Sequence, residues 1–441
     1  MSLLDKKTLK HQACAAIQAN AEEIITLGET ILREPELGFK ETKTAEKVAA
    51  ALQRHAIPYT TGHAITGVKG RLKGGQPRRT VAVLGELDAV TCYEHPLADP
   101  LTGAAHACGH FAQIAAMVGC GIGLAESGVV NHLAGNVVLF AVPAEEYVEM
   151  EYRNRLRSEG KITYLGGKPE LIRRGDFDDV DMAMMIHLNT DGQTRRTIKV
   201  GGTSNGFIGK MARFIGQEAH AAGAPHQGVN ALNAALLAIM AVHAQRETFR
   251  DEDYVRFHPI ITKGGDLVNV IPSDVRMESY VRGRTLEAIL DANKKVDRAL
   301  KAGADAIGAT VEITDLAGYL PLINDPAMSS LFAANAETRL GPESVERLDH
   351  QAGSTDMGDL AHIMPVIHPW VGGVSGQAHT RDFKVVDQEM AYIVSAQIMA
   401  MTVIDLLADG AATAEEILAA FQPQMTKNAY LQFMENIGQK P

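Results

Sequence analysis

The chain has 441 residues, 46% hydrophobic and 22% charged, which is the composition of a soluble globular protein with a large core and two or three domains. Its formal charge of -11, without a long basic run, argues against nucleic acid or an anionic membrane as the main partner. Four cysteines, at 14, 92, 108 and 120, are too sparse for a disulfide framework.

The N-terminal stretch has no apolar signal-like core, and no run of 18 apolar residues occurs, so no membrane span is expected and the cytoplasm is the expected location. Ile17, Ile24, Leu27 and Ile31 fall at helical spacing and predict an amphipathic first helix closed by Pro35. A second helix is expected from Thr42 to about Arg54. Val81-Ala82-Val83-Leu84 reads as a buried strand ending at Glu86-Leu87-Asp88. The Ala-, Met- and Ile-rich segment from His110 to Glu126 reads as a buried helix. Asn136 to Val142 and Met182 to Ile186 read as further buried strands.

Strands alternating with helices imply an α/β fold, a layered sandwich around a largely parallel sheet. In such sheets the chemistry sits at the carboxyl ends of the strands. Asp88, Glu145, Glu146 and His187 each follow one of these strands.

The middle of the chain changes character. Gly206–Gly216 alternates like a strand, Val229–Arg246 is helical, Phe257–Thr262 and Val275–Val281 read as strands, and Leu286–Ala306 as a helix. This βαββα order predicts a smaller α+β domain over 206–312, inserted into a main domain of 1–205 and 313–441. Val311-Glu312-Ile313 is read as the return to the main domain, and the tail after Asp409 as helical.

Two motifs carry chemistry: His106-Ala107-Cys108-Gly109-His110-Phe111 and Pro143-Ala144-Glu145-Glu146. A thiolate and an imidazole hold a borderline-soft divalent metal, and one carboxylate adds charge. A second carboxylate that is not a ligand can take a proton from an activated water. Alone, a Cys-x-His is more often a buried cysteine beside a helix-start histidine, and a Glu pair more often a solvated turn. Their joint occurrence with His187 and His379, in order, favours the metal reading.

Over nearly its whole length the chain resembles the peptidase family M20 amidohydrolases, a superfamily of aminoacylases, carboxypeptidases and dipeptidases. The resemblance rests on Arg33-Glu34-Pro35-Glu36-Leu37-Gly38-Phe39 with Glu41 and Thr44-Ala45, on Glu86-Leu87-Asp88-Ala89, and on the two motifs above. It also rests on Gly216-Gln217-Glu218-Ala219-His220-Ala221 and Asn269-Val270-Ile271-Pro272. It implies a three-layer α/β catalytic domain with a di-metal site, interrupted by a smaller α+β lid that mediates homodimerisation.

Carried over by position, the resemblance makes Cys108, His110, Glu146, His187 and His379 metal ligands and Glu145 the general base. Asp88 would orient a metal-site histidine, and His220 would stabilise the oxyanion, often in the partner subunit's site. Arg282 is a candidate for the substrate carboxylate or, equally, an ordinary lid ion pair, and Asn269 is a further substrate or oxyanion candidate.

Gly353-Ser354-Thr355-Asp356-Met357-Gly358-Asp359, Ile367-His368-Pro369 and Ala378-His379-Thr380 with Phe383 look like the aminoacylase-1-like and aminobenzoyl-glutamate-hydrolase branches. Those branches cleave amides of N-acyl amino acids, aminobenzoyl-glutamate, or dipeptides with a basic C-terminal residue. Asp356 and His368 could line the site, with a structural imidazole the favoured reading for His368. Two departures stand out. Phe111 occupies the place where the family has Asp or Asn, which would tune or weaken the site. The stretch 147–180, with Tyr152, Arg153, Arg155 and Arg157, is long for the family and is expected to cover the pocket and contribute to substrate choice.

The implied cofactors are two divalent ions per subunit, zinc or manganese, with cobalt or nickel also suiting the donors. Three other readings stay open: a thiol enzyme with Cys108 as nucleophile and His106 or His110 as base, a non-catalytic relative that binds an acyl amino acid or a partner, and a carbamoyl-amide (ureido) hydrolase.

Overall fold

The computed structural model describes residues 4–189 and 196–438, which fall into two compact units. The first comprises Met1–Gly202, Ile323–Asp349 and Asp359–Thr426, and the second Thr203–Leu322, His350–Gly358 and Lys427–Pro441.

The first unit is built on a six-stranded sheet in the order Tyr59–His63, Gly67–Leu72, Gly135–Val142, Arg79–Glu86, Met182–Met184, Val366–Ile367. The last four run parallel, and the first two form an antiparallel edge hairpin. Strands covered on both faces need continuous apolar sequence. Val81, Val83, Val137, Leu139 and Ala141 join the main hydrophobic cluster with the helices Lys6–Ala19, Ala21–Arg33, His110–Glu126 and Ser395–Leu407. Ala82, Leu84, Val138 and Phe140 are equally buried on the opposite face, where Phe140 meets Phe177 at 5.3 Å between ring centroids. A smaller sheet orders Val345–Arg347, Ile198–Val200, Trp370–Val371 and His187–Leu188.

The expected single N-terminal helix is two helices that break at Asn20. Its side-chain amide turns back to the Ala16 carbonyl and across to Glu126. One described segment, Glu389–Leu407, is long and apolar enough to cross a bilayer, but it is wholly buried as a core helix.

The second unit is an antiparallel sheet in the order Arg256–Lys263, Asp274–Gly283, Gly206–Ile215, Thr310–Ala317. The helices Ala231–Ala244 and Leu286–Asp305 pack against it around Phe214, Ala235, Val281 and Leu300. The order is βαββαβ, a ferredoxin-like arrangement. Val311-Glu312-Ile313, read from the sequence as the return to the main domain, lies in Thr310–Ala317, the fourth strand of this sheet. The unit therefore runs to Leu322 instead of 312, and it also takes in His350–Gly358 and the helix Lys427–Gly438.

Candidate metal centre

Three strand ends and two loops supply the centre. Glu86 closes its strand and Asp88 follows it; Glu145 and Glu146 follow Val142; His187 lies just past Met184. Gly109 adopts φ 102°, where an added Cβ would also press on the Leu188 side chain at 3.0 Å. That turn sets Cys108 just ahead of the helix that begins at His110.

Cys108 Sγ lies 3.5 Å from His187 Nε2 and 3.3 Å from His379 Nε2. His379 Nε2 is in turn 3.1 Å from Glu146 Oε1. The five residues expected as ligands thus meet in two overlapping groups, Cys108–His110–His187 and Cys108–Glu146–His379, each with donor atoms within 4.8 Å of one another. The far ring nitrogens are occupied by carbonyls: His110 Nδ1 bonds to the Asp88 oxygen at 2.8 Å and His187 Nδ1 to the Leu188 oxygen at 2.9 Å. Each ring therefore gives its Nε2 to the cluster. The His379 N–H donates to the Ala107 oxygen at 2.8 Å, which ties this C-terminal residue to the cysteine loop.

The charges are mutually dependent. Burial and Glu146 push the Cys108 thiol up, yet His187, His379 and His110 together outweigh them and bring it down to about 6. The Glu146 carboxylate, opposed by burial and helped by Cys108, pushes His379 up to about 12. Burial works against charge on Glu146, but His379 holds its carboxyl well below the usual range. A thiolate and carboxylates so placed demand positive charge, which protons or divalent ions can supply. Thiolate, imidazole and carboxylate donors at these separations fit a metal site.

Asp88 joins the two motifs. Its Oδ2 accepts the Glu146 N–H at 2.9 Å, and its Oδ1 lies 3.4 Å from His110 Nδ1. Glu145 Oε2 stands 3.7 Å from His110 Nε2.

Sequence reasoning missed Glu86. Its Oε2 is 3.0 Å from His110 Nε2, and Glu86, His110 and Glu145 form a third potential donor group. Lys168 Nζ donates to Glu86 Oε1 at 2.7 Å, and Gln113 donates its side-chain amide to Oε2 at 2.9 Å. Burial raises the Glu86 carboxyl, but Lys168 and then His110 hold it at about 2. One signal was available: Glu86 and Asp88 share a side at a strand end, two residues apart.

Phe111 does not enter the cluster as a site-tuning side chain. It is wholly buried in the hydrophobic core, with its ring against Tyr392 and His106. His106, offered above as a base for Cys108, has no hydrogen-bond partner among the described residues on either nitrogen, and burial pulls it down to about 3. His368 is buried with its ring 5.6 Å from that of His187 and 6.2 Å from that of Trp370, so it lies against one expected ligand, His187.

Within the stretch expected to cover the pocket, two basic side chains are buried. Arg153 is 1% exposed and Lys168 0%. Arg153 donates to the carbonyls of Ala144, Glu146 and Leu165.

The remaining expected site residues lie in the second unit. His220 is exposed, and its Nδ1 accepts the N–H groups of Ala222 at 3.2 Å and Gly223 at 2.9 Å, which leaves Nε2 to carry the proton. Asn269 is exposed, and its carbonyl accepts the Ala221 N–H at 2.9 Å. Arg282 donates to Ser354 Oγ at 2.9 Å and lies over the Phe207 and Tyr280 rings, at 5.4 and 5.3 Å. Asp356 is fully buried.

Comparison with known proteins shows the family and the fold. The family described as Peptidase family M20/M25/M40 matches residues 82–404. The chain is 27% identical to a Xaa-Arg dipeptidase of Mus musculus, over 92% of this chain and 90% of that one. A dinuclear metal-binding M20 peptidase from Bacillus subtilis superposes with a TM-score of 0.65 at 22% identity, over 88% of this chain and 99% of that one. An aminobenzoyl-glutamate utilization protein from Klebsiella pneumoniae gives a TM-score of 0.66 at 20% identity, over 88% and 97%.

Proposed function

Because the chain belongs to peptidase family M20/M25/M40 and is a hydrolase, we propose that it cleaves an amide bond in an N-acyl amino acid, an aminobenzoyl-glutamate-like conjugate or a dipeptide. The likeness to a Xaa-Arg dipeptidase brings dipeptides with a basic C-terminal residue into that set.

Cys108, His110, Glu146, His187 and His379 would hold two divalent ions, zinc or manganese first, with cobalt or nickel also compatible with the donors. Ions held there supply Lewis acidity toward water and toward the scissile carbonyl. Glu145 accepts the proton of the attacking water and delivers it to the leaving amine. Asp88 fixes the orientation of His110 and the position of Glu146 through the contacts described above. His220 donates Nε2–H to the developing oxyanion, a contribution of ~2.7–4 kcal/mol for such a donor. That role is supported by the two N–H groups that occupy its Nδ1. Arg282 receives the substrate carboxylate, with its guanidinium plane held by two aromatic rings. Asn269 contributes a further polar contact to substrate.

The same unit that carries His220 supports a homodimer. Leu236 and Met240 on the helix Ala231–Ala244, and Ile260 on the edge strand Arg256–Lys263, are 50%, 68% and 53% exposed. Exposed apolar side chains on a helix and on an edge strand of one unit favour pairing with a second copy.

One observation carries the catalytic reading. Two adjacent carboxylates on one buried turn serve different donor groups: Glu146 stands with Cys108 and His379, and Glu145 with His110 and Glu86. Replacing Glu145 with Gln tests it. The variant should bind metal as wild type does and lose about 10²–10⁴ of the turnover rate. A near-wild-type rate would remove Glu145 from the base position.

A further inference from the structure

We propose that Arg153 and Glu41 are positioning residues that clamp the Ala144–Glu146 backbone from two sides and so aim Glu145. This inference rests on the reading of Glu145 as the general base.

The turn needs an outside hold. Ala144 has φ 56°, in the left-handed region that a non-glycine residue rarely occupies. Such a conformation costs of the order of 1–3 kcal/mol and persists only where surrounding contacts over-determine it. Those contacts are buried. The Ala144 N–H donates to Glu41 Oε1 at 2.8 Å, while Glu41 Oε2 accepts the Thr66 hydroxyl at 2.7 Å. The Ala144 carbonyl accepts Arg153 Nη1 at 3.2 Å and the Gly167 N–H at 3.1 Å. On the far side of Glu145, Arg153 Nη2 donates to the Glu146 carbonyl, and the Glu146 N–H donates to Asp88. One guanidinium therefore spans the carbonyls of both residues that flank Glu145.

Simple packing does not call for an arginine here. Neutral donors would cap these carbonyls, and stripping water from a guanidinium is costly. What a guanidinium adds is a rigid planar fork that fixes two carbonyls relative to each other, which a lysine cannot do. The pocket for it is built to measure. The group lies over the rings of Phe39 at 5.4 Å and Tyr147 at 6.0 Å, and a Cβ on Gly38 would collide with Nη2.

The test uses full-length, metal-loaded Arg153→Ala. The substrate is the fastest-cleaved member of a set of N-acetyl and N-benzoyl amino acids, aminobenzoyl-glutamate and dipeptides. Metal content, thermal midpoint, kcat and KM are measured with and without millimolar guanidinium chloride, with urea and sodium chloride as controls. The clamp predicts retained metal, KM within about twofold of wild type and a kcat about 100-fold lower, as misplacement of a reacting group by an ångström produces. It also predicts at least a tenfold recovery of kcat with guanidinium alone. A wild-type kcat, or a loss that follows the unfolded or metal-free fraction and is not rescued, would overturn it. If Arg153→Ala does not fold, Arg153→Lys decides by kcat per metal-loaded molecule, and an unchanged value overturns the clamp. Glu145→Gln, run in parallel, separates the two ideas. If it stays active the base reading fails on its own account, whereas an inactive Glu145→Gln beside a fully active Arg153→Ala removes the clamp alone.

Discussion

The rings of His106 and Phe111 meet edge to face, with centroids 5.8 Å apart, and neither nitrogen of His106 finds a hydrogen-bond partner among the described residues. Phe111 stands where the family resemblance leads one to expect Asp or Asn, so restoring a polar residue would give His106 a partner. Magnitudes decide whether that helps. Truncating a buried phenylalanine costs about 3–5 kcal/mol, whereas one neutral hydrogen bond returns about 1 kcal/mol. Phe111→Asn should therefore lose about 2–4 kcal/mol of stability in urea unfolding, with kcat/KM per folded, metal-loaded molecule unchanged within a few-fold. A variant as stable as wild type, or more than tenfold faster, would return Phe111 to the list of residues that tune the site.

Glu41 gives the protein a defined response to pH. Burial, then the Asp88 charge, push its carboxyl up to about 7 from the ordinary 4.5. The folded value lies above the unfolded one, so the folded state binds this proton more tightly. The contribution is fully present below about 4.5 and is lost as pH rises through about 7. Between pH 5 and 8 the loss is about 2–3 kcal/mol. Glu41→Gln keeps an acceptor for the Ala144 N–H but does not titrate. Its stability relative to wild type, in urea with chelator present, should rise by about that amount over the same interval. Parallel curves for the two proteins would refute this account of Glu41.

Dimerisation makes its own demand on the second unit. Met240→Asp and Ile260→Asp place charge on side chains that are already largely exposed in the single chain, so neither should disturb the fold. Sedimentation velocity should find a dimer for wild type and a monomer for each variant, with the two variants' unfolding free energies in urea within about 1 kcal/mol of each other. A monomeric wild type, or dimers throughout, would exclude this face as the interface.

Much of the centre was legible because its residues come in short motifs at strand ends. Val81–Leu84 and Asn136–Val142 announce buried parallel strands, and the loops that follow them carry Asp88, Glu145 and Glu146 to the carboxyl ends of two neighbouring central strands. What was not legible depends on pairings distant in sequence. Arg153 sits in a run of arginines that resembles a solvated face, and only the fold shows that it is buried while Arg155 is exposed. The Glu86–Lys168 pair joins residues 82 positions apart. Thr310–Ala317 lacks a continuous apolar run because its outer half is exposed at a sheet edge, so it hid the true end of the inserted unit.

The central claim, metal-assisted hydrolysis of an amide, is tested most directly by amine release from a pooled panel. The pool holds N-acetyl and N-benzoyl amino acids, aminobenzoyl-glutamate, α- and β-alanyl dipeptides and ureido acids, read by mass spectrometry with added zinc or manganese and again with chelator. The account predicts release from the acyl-amino-acid, aminobenzoyl-glutamate or dipeptide members, abolished by chelator and restored by metal. Release that chelator leaves untouched would point to Cys108 as a nucleophile, and release from the ureido acids alone would move the chain to carbamoyl-amide hydrolysis. No release with any metal would contradict the account outright.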